Sequence, residues 1–147
     1  MPYVSDINLT ICVHSLVLSP VEISEIAGID ATESHCIGDS KGVVRKGIYE
    51  TNYWCLSLKL RGEEEEGEQT HWFSDGLIRL LSRLPEDFVH KLKARDPEIG
   101  ANLWIGLFDI QDQGAFNIRS DVSKMLGERE LELIFDLYVD HSVFRDP

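Results

Sequence analysis

The fold is decided by residues 7–28, whose sequence is INLTICVHSLVLSPVEISEIAG. Apolar side chains alternate with more polar ones over residues 7–14, and this period of two predicts a strand with one buried face. Ser19, Pro20 and Glu22 then predict a helix start, because the serine and the glutamate can satisfy N–H groups of the first turn. Gly28 predicts the end of that helix, where a left-handed residue is favoured.

The same signals recur further along the chain. Alternation returns at residues 54–60 and 103–108 and predicts two more strands. Leucine and phenylalanine at helical spacing predict a pair of helices over residues 70–95, separated at Pro85. A serine-capped helix ending near Gly127 and a final strand at residues 131–139 complete the pattern.

Two polar segments carry weaker signals. Residues 30–50 contain three glycines and predict a long, partly ordered loop, with a short strand at Val43 and Val44. Residues 63–66 are four consecutive glutamates, whose mutual repulsion favours a solvated loop.

These elements predict one α+β domain over residues 1–147, with a mainly antiparallel or mixed sheet and short helices on one face. Two strand-helix-strand units, at about 7–60 and 101–139, flank the helical pair. Both units have the order strand, serine-capped helix, glycine stop and strand, which is consistent with a pseudo-repeat. Chance recurrence of a common motif is the alternative.

The chain shows no membrane or secretory signal. Its apolar runs are too short to span a bilayer, and Met1-Pro2-Tyr3 begins neither a basic nor an apolar leader region. Its three cysteines have no CxxC spacing, which favours reduced thiols over a disulfide framework. We therefore expect a cytoplasmic protein that does not bind membranes.

The formal net charge of −12 argues against nucleic acid as a partner, because a phosphate backbone needs a basic surface. The charge is uneven: residues 1–40 carry −6, residues 41–100 carry −1 and residues 101–147 carry −5. The two end units, not the glutamate run, are therefore predicted to form an acidic surface. Its candidate residues are Glu22, Glu25, Asp30, Glu33, Asp39, Glu128, Glu130, Glu132, Asp136 and Asp140.

No residue set predicts a catalytic, cofactor-binding or metal-binding centre. Asp140, His141 and Ser142 contain the residue types of a hydrolase triad, but three sequence neighbours cannot converge on one another productively. Cys12 and His14 would share one face of the first strand, yet two ligands without a third do not define a zinc site.

The strand at residues 103–108 is apolar on both faces, since Trp104 and Phe108 alternate with leucine and isoleucine. A central strand buried on both sides is the favoured interpretation. The alternative is an exposed aromatic face for a ligand or a second copy, to which Trp54 would contribute. The candidate partner or ligand surface is therefore Trp54, Trp104 and Phe108.

Several short segments identify a family resemblance. They include LSPVEI at 18–23, AGIDAT at 27–32, YWCLS at 53–57 and FDLY at 135–138, together with Gly38-Asp39 and Leu126-Gly127. These segments resemble the bacterial domain-of-unknown-function family 4279, and the likeness runs from about residue 8 to 138. The resemblance implies a bacterial cytoplasmic protein and supplies no catalytic or binding residues.

Two hypotheses on function follow. The first is a non-enzymatic binding protein, immunity-like, inhibitor-like or regulatory, whose acidic surface recognises a basic protein. The second is a small-molecule-binding or enzymatic domain with an aromatic pocket between sheet and helices. Homodimerisation through a sheet face is compatible with either.

Overall fold

The structure, a computed structural model, describes residues 6–65, 67, 69–110 and 117–139. Its strands are β1 Asp6–Ser15, β2 Glu33–His35, β3 Asn52–Arg61, β4 Gly100–Ile110 and β5 Glu132–Val139. Its helices are α1 Pro20–Ala27, α2 Gly42–Arg45, α3 Gln69–Leu81, α4 Phe88–Arg95 and α5 Ser120–Glu128. Within these ranges, no helix is both long and apolar enough to cross a bilayer.

The five strands form one mixed sheet in the order β2-β3-β1-β4-β5. β1 lies at the centre, antiparallel to β3 on one side and to β4 on the other. β2 is antiparallel to β3, whereas β5 is parallel to β4. The predicted α+β class is therefore confirmed.

One face of the sheet packs against helices and forms the core. The apolar residues of β1 on this face, Ile7, Leu9, Ile11 and Val13, are completely buried. They join apolar side chains of α1, α3, α4 and α5 in one hydrophobic cluster. Helix α3 approaches β3 closely at Gly76, where an added Cβ would lie 2.5 Å from Cδ1 of Leu60.

Helix α1 begins and ends where the sequence predicts. Ser19 Oγ accepts a hydrogen bond from Glu22 N at 3.2 Å, and Ser19 N donates to the Glu22 carboxylate at 2.8 Å. These two bonds complete the capping box. Gly28 closes the helix with φ of 72°, a conformation that glycine adopts without strain.

Residues 36–50, which we call the arm, form a hairpin-like projection after β2. Gly38 N donates to Tyr49 O and Tyr49 N donates to Asp39 O, each at 2.9 Å. The predicted strand at Val43 and Val44 is wrong, since both residues lie in α2 and are almost fully exposed. Their apolar character therefore does not reflect a buried strand.

The two end units differ in strand direction. β1 and β3 are antiparallel, whereas β4 and β5 are parallel and joined through α5. The second unit is therefore not a structural repeat of the first. In the first unit, β2 and the arm lie between α1 and β3, and β3 runs antiparallel to β1.

The boundaries of α5 also differ from the sequence prediction. Arg119 occupies the cap position, so Ser120 is the first helical residue, and the helix continues through Gly127. The left-handed residue after it is Glu130, with φ of 56°. Arg129 Nη1 donates to Leu81 O at 3.0 Å, which attaches this helix end to the α3–α4 connection.

Candidate functional site

The sheet face opposite the core, which we call the open face, carries aromatic, polar and thiol side chains. The β1 register places His14 opposite Tyr53 of β3 and Thr10 opposite Trp104 of β4. Directly opposite residues of an antiparallel pair project to the same side of a sheet. These side chains therefore share the open face.

Trp104 and Phe108 lie on this face, so the prediction that β4 is buried on both sides is wrong. Trp104 is 37% exposed, and Phe108 stacks on Tyr138 of β5 with ring centroids 4.4 Å apart. The described long helices all contribute to the core on the other face. The aromatic residues of β4 consequently remain accessible.

Trp54 does not contribute to this surface, which corrects the predicted grouping with Trp104 and Phe108. It is completely buried in the core, and its Nε1 donates to Ser24 Oγ of α1 at 2.9 Å. The reason is the pleat: Trp54 pairs with Val13, a core residue, so it projects towards the helices.

A groove of about 510 Å³ crosses the open face between Trp104 and the arm. Its floor is formed by side chains of the three central strands, and its wall by side chains of β2 and the arm. The floor residues are Thr10, Cys12, His14, Tyr53 and Trp104, and the wall residues are Glu33, His35, Arg45 and Tyr49. We call this site the groove.

Four rings contact one another in series along one side of the groove, three of them stacked and the fourth, His14, tilted, and we call this series the stack. His35 lies against Tyr49, with centroids 3.4 Å apart and planes within 14°. On the other side His35 is 5.0 Å from Tyr53, which in turn is 4.9 Å from His14. The stack connects the arm to the sheet and gives the groove a flat, polarisable wall.

Two thiols lie next to the phenol of Tyr53. Cys12 and Cys55 face one another across β1 and β3, both are free, and Cys12 Sγ shares a hydrogen bond of 3.5 Å with Tyr53 Oη. Burial raises the pKa of Tyr53, as do its hydrogen bonds to both thiols, and burial also raises the pKa of Cys12. The Cys12 thiol and the Tyr53 phenol are therefore protonated at neutral pH and poor nucleophiles.

The two histidines of the groove are held uncharged. Burial lowers the pKa of His14, and burial together with the nearby His14 lowers the pKa of His35, although Asp39 and Glu33 oppose this shift. Each ring therefore offers one hydrogen-bond donor and one acceptor near pH 7.

Acidification is expected to destabilise the fold through these two rings. Their pKa values lie below the ordinary 6.5 in the folded state, so the unfolded chain binds more protons as the pH falls through that value. The melting temperature should therefore fall between about pH 7.5 and 5.5. Scanning calorimetry of a variant with both His14→Gln and His35→Gln should show a flatter profile than the natural chain. An unchanged slope in the double variant would contradict this origin.

Residues 5–140 match the family model described as domain of unknown function (DUF4279). The chain belongs to this family. No curated protein and no solved structure matches it. The match confirms the resemblance inferred from the sequence, and it includes all the residues that line the groove.

Two opposite charges line the groove of this DUF4279 chain. Glu33 projects from β2 and Arg45 from the end of α2. Within the described residues neither forms an ion pair, with each other or with a third side chain. Both are therefore available to a ligand, and with neutral histidines the formal charge of the lining is zero.

The predicted acidic residues do not gather on one surface. Glu33 of β2 lies at one edge of the sheet, whereas Glu132 and Asp136 of β5 lie at the other. Asp140 falls outside the described residues. The carboxylates that the two end units carry on β2 and β5 therefore lie at opposite edges of the sheet.

Ion pairs neutralise part of this charge. Glu22 pairs with Arg95 at 3.1 Å and Glu130 with Lys93 at 3.5 Å. Glu128 of α5 pairs with a lysine of the same helix at 3.8 Å. In the described part of the chain, the acidic residues of the first unit without an ion pair are Glu25, Asp30, Glu33, Asp39 and Glu50.

The described residues of the remaining motifs do not form a metal centre. His141 and Ser142 lie outside the described residues, and among those described no three His, Cys, Asp or Glu side chains are placed to hold a metal ion. A second depression of about 400 Å³ between α4 and α5 is lined mainly by charged side chains, including the paired Glu128 and Lys124.

Sequence reasoning missed the main components of the groove, His35, Tyr49 and Tyr53. The one available signal was the period of two in β3, which places Tyr53 on the face opposite Trp54. The position of His35 depends on β2, a strand of three residues without alternation long enough to detect. The position of Tyr49 depends on how the arm folds back.

Proposed function

We propose that this protein is a binding protein that holds a small, flat molecule in the groove. The observation that carries the proposal is Trp104, a large aromatic side chain that is 37% exposed on a sheet face beside a stack of four rings. Ligand sites are typically concave, lined by aromatic side chains, and supplied with a few polar groups that orient the ligand. The groove has each of these features.

The charges of the groove favour an uncharged or zwitterionic ligand. Arg45 supplies a cation that can bind a carboxylate, and Glu33 supplies an acceptor for an amine or hydroxyl. The neutral rings of His14 and His35 add further donors and acceptors at the edge of a flat molecule. A polyanion would meet Glu33 as well as the overall charge of −12.

The groups in the groove support binding better than catalysis. A cysteine nucleophile acts as the thiolate, but burial keeps the Cys12 thiol protonated at neutral pH. The Tyr53 phenol is likewise held in its neutral form by burial and by its hydrogen bonds. Neither group has the lowered pKa that an activated nucleophile requires.

Recognition of a basic protein through the acidic residues stays a prediction. Several of its candidate carboxylates are already paired, and those on β2 and β5 lie at two separate edges of the sheet. The groove concentrates more recognition chemistry in one place, so we favour the ligand hypothesis over an immunity-like or inhibitor-like role.

Intrinsic fluorescence gives a direct test, because Trp104 is the exposed tryptophan while Trp54 and Trp72 are buried. We expect members of an aromatic fragment library, including adenine and phenylalanine, to change this fluorescence. A fragment at 100 times its Kd should also stabilise the fold by about 2.7 kcal/mol. Shifts in the NMR signals of His14 and His35 would locate the fragment in the groove.

The matched variants are Trp104→Leu, which should abolish the fluorescence and stability responses, and Trp72→Phe, which should retain them. Trp72 lies in α3 within the core, so its loss controls for the removal of one tryptophan. A fragment that stabilises the Trp104→Leu variant as strongly as the natural chain would place the binding site elsewhere.

A further inference from the structure

We propose that the outer edge of β5 pairs with β5 of a second copy, antiparallel and about a two-fold axis, to form a dimer with one continuous sheet. This interface is separate from the groove, which lies towards the opposite edge of the sheet. It therefore goes beyond ligand binding and can be tested independently of it.

The first support is the outer edge of β5. This strand is eight residues long, ends the sheet on one side, and pairs with no described strand at its outer edge. Natural edge strands are usually short or carry proline or lysine, which discourage pairing with another chain. β2 at the other edge has only three residues, whereas the sequence of β5, ELIFDLYV, contains no proline and no basic residue.

The second support is the apolar surface of this strand. Phe135 and Leu137 project to the core face but lie beyond the cover of the helices, and are 46% and 57% exposed. Tyr138 on the open face is 47% exposed. Exposed apolar side chains that continue from a core typically mark an interaction surface. A second β5 beside the first would extend this core across the two-fold axis.

The third support is the position of the two carboxylates, which selects one of the two registers that pair seven residues of β5. A two-fold axis through Phe135 sets Glu132 against Tyr138 and Asp136 against Ile134, so no two carboxylates oppose one another. An axis through Asp136 pairs as many residues but sets Asp136 against itself. An axis at Ile134 sets Glu132 directly against Asp136. Like charges directly opposite destabilise a strand pair.

In the selected register the apolar residues match. Phe135 faces Phe135 of the second copy, and Leu133 faces Leu137 in both directions. All three lie on the core face of the sheet, where the register with β4 sets them beside Leu103, Ile105 and Leu107. This self-complementarity identifies a second copy of the chain, in a closed two-fold contact, as the occupant of the edge.

Sedimentation velocity and light scattering of the full chain at micromolar concentrations test the proposal. The expected particle has twice the monomer mass of 16.7 kDa. Leu137→Lys should weaken the dimer by at least tenfold, whereas Val44→Lys in the exposed arm should leave it unchanged. Circular dichroism would check that both variants fold. A monomeric natural chain, larger open assemblies, or a dimer that tolerates Leu137→Lys would overturn the proposal.

Cysteine cross-linking tests the register in a Cys36→Ser background, which removes the exposed natural thiol. Residues directly opposite across an antiparallel pair are close enough for a disulfide. Under diamide oxidation, Phe135→Cys should form a covalent dimer, because each thiol faces its own copy. Asp136→Cys should cross-link much less. Efficient cross-linking of Asp136→Cys, with none for Phe135→Cys, would overturn the register centred on Phe135.

Discussion

Replacement of Trp54 by alanine is expected to lower the free energy of unfolding by about 3–5 kcal/mol. The side chain is among the largest of those fully buried, and its ring lies 5.7 Å from that of Phe88 in α4. Its removal leaves a cavity between β3, α1 and α4, and it deprives Ser24 Oγ of the indole N–H. The loss is a large part of the total stability of an ordinary domain.

Urea unfolding followed by circular dichroism would measure this change without relying on tryptophan fluorescence. Trp104→Ala is the matched control: the same substitution at a partly exposed position of the open face should cost well under half as much. Trp54→Phe should give an intermediate loss, because it retains much of the buried ring and loses the bond to Ser24. Equal losses for the two alanine variants would contradict the assignment of the two tryptophans to opposite faces.

The contrast between these tryptophans shows how far periodicity predicts this fold. Alternation located β1, β3 and β4, and the cap residues located α1, because these signals depend on neighbours within one element. Periodicity also separates the two faces of each strand. It does not predict which face of one strand lies on the same side of the sheet as a given face of another strand. This is why the sequence could not predict whether Trp54 and Trp104 share a surface.

The arm shows a second limit. Val43 and Val44 have high strand propensity, yet they occupy a short exposed helix. The chain reverses there through backbone bonds between residues 38–41 and 47–49, and through glycines with positive φ at 38, 42 and 47. Propensity reflects packing on a half-buried sheet surface, and this segment does not contact such a surface.

The groove depends on contacts between residues distant in sequence. His35 meets Tyr49 through the arm and Tyr53 through the β2–β3 pair, whereas His14 reaches Tyr53 from β1. Each of these residues alone has an ordinary sequence context. Their chemistry emerges only when the register of three strands is known. Composition and spacing could therefore suggest Trp104 and Phe108 for an accessible aromatic face, but not His35, Tyr49 and Tyr53.

Replacement of Ser15 by alanine is the second change for which we expect a large effect, a loss of about 3 kcal/mol in the free energy of unfolding. Ser15 Oγ donates to the Asp96 carboxylate at 2.7 Å and accepts from Leu18 N at 2.8 Å, and both Ser15 and Asp96 are buried. This one hydroxyl links the end of β1 to the residue after α4. Its removal leaves a buried carboxylate oxygen without its donor and a buried N–H without its acceptor.

A double-mutant cycle separates this network from the cost of each substitution. The combined Ser15→Ala and Asp96→Ala variant should lose less stability than the sum of the single variants, since the buried carboxylate is removed with its donor. Ser82→Ala provides the control, because Ser82 Oγ donates only to Ile78 O at an exposed position and should change stability by about 0.5 kcal/mol or less. Strict additivity of the two single losses would show that the hydroxyl and the carboxylate contribute independently.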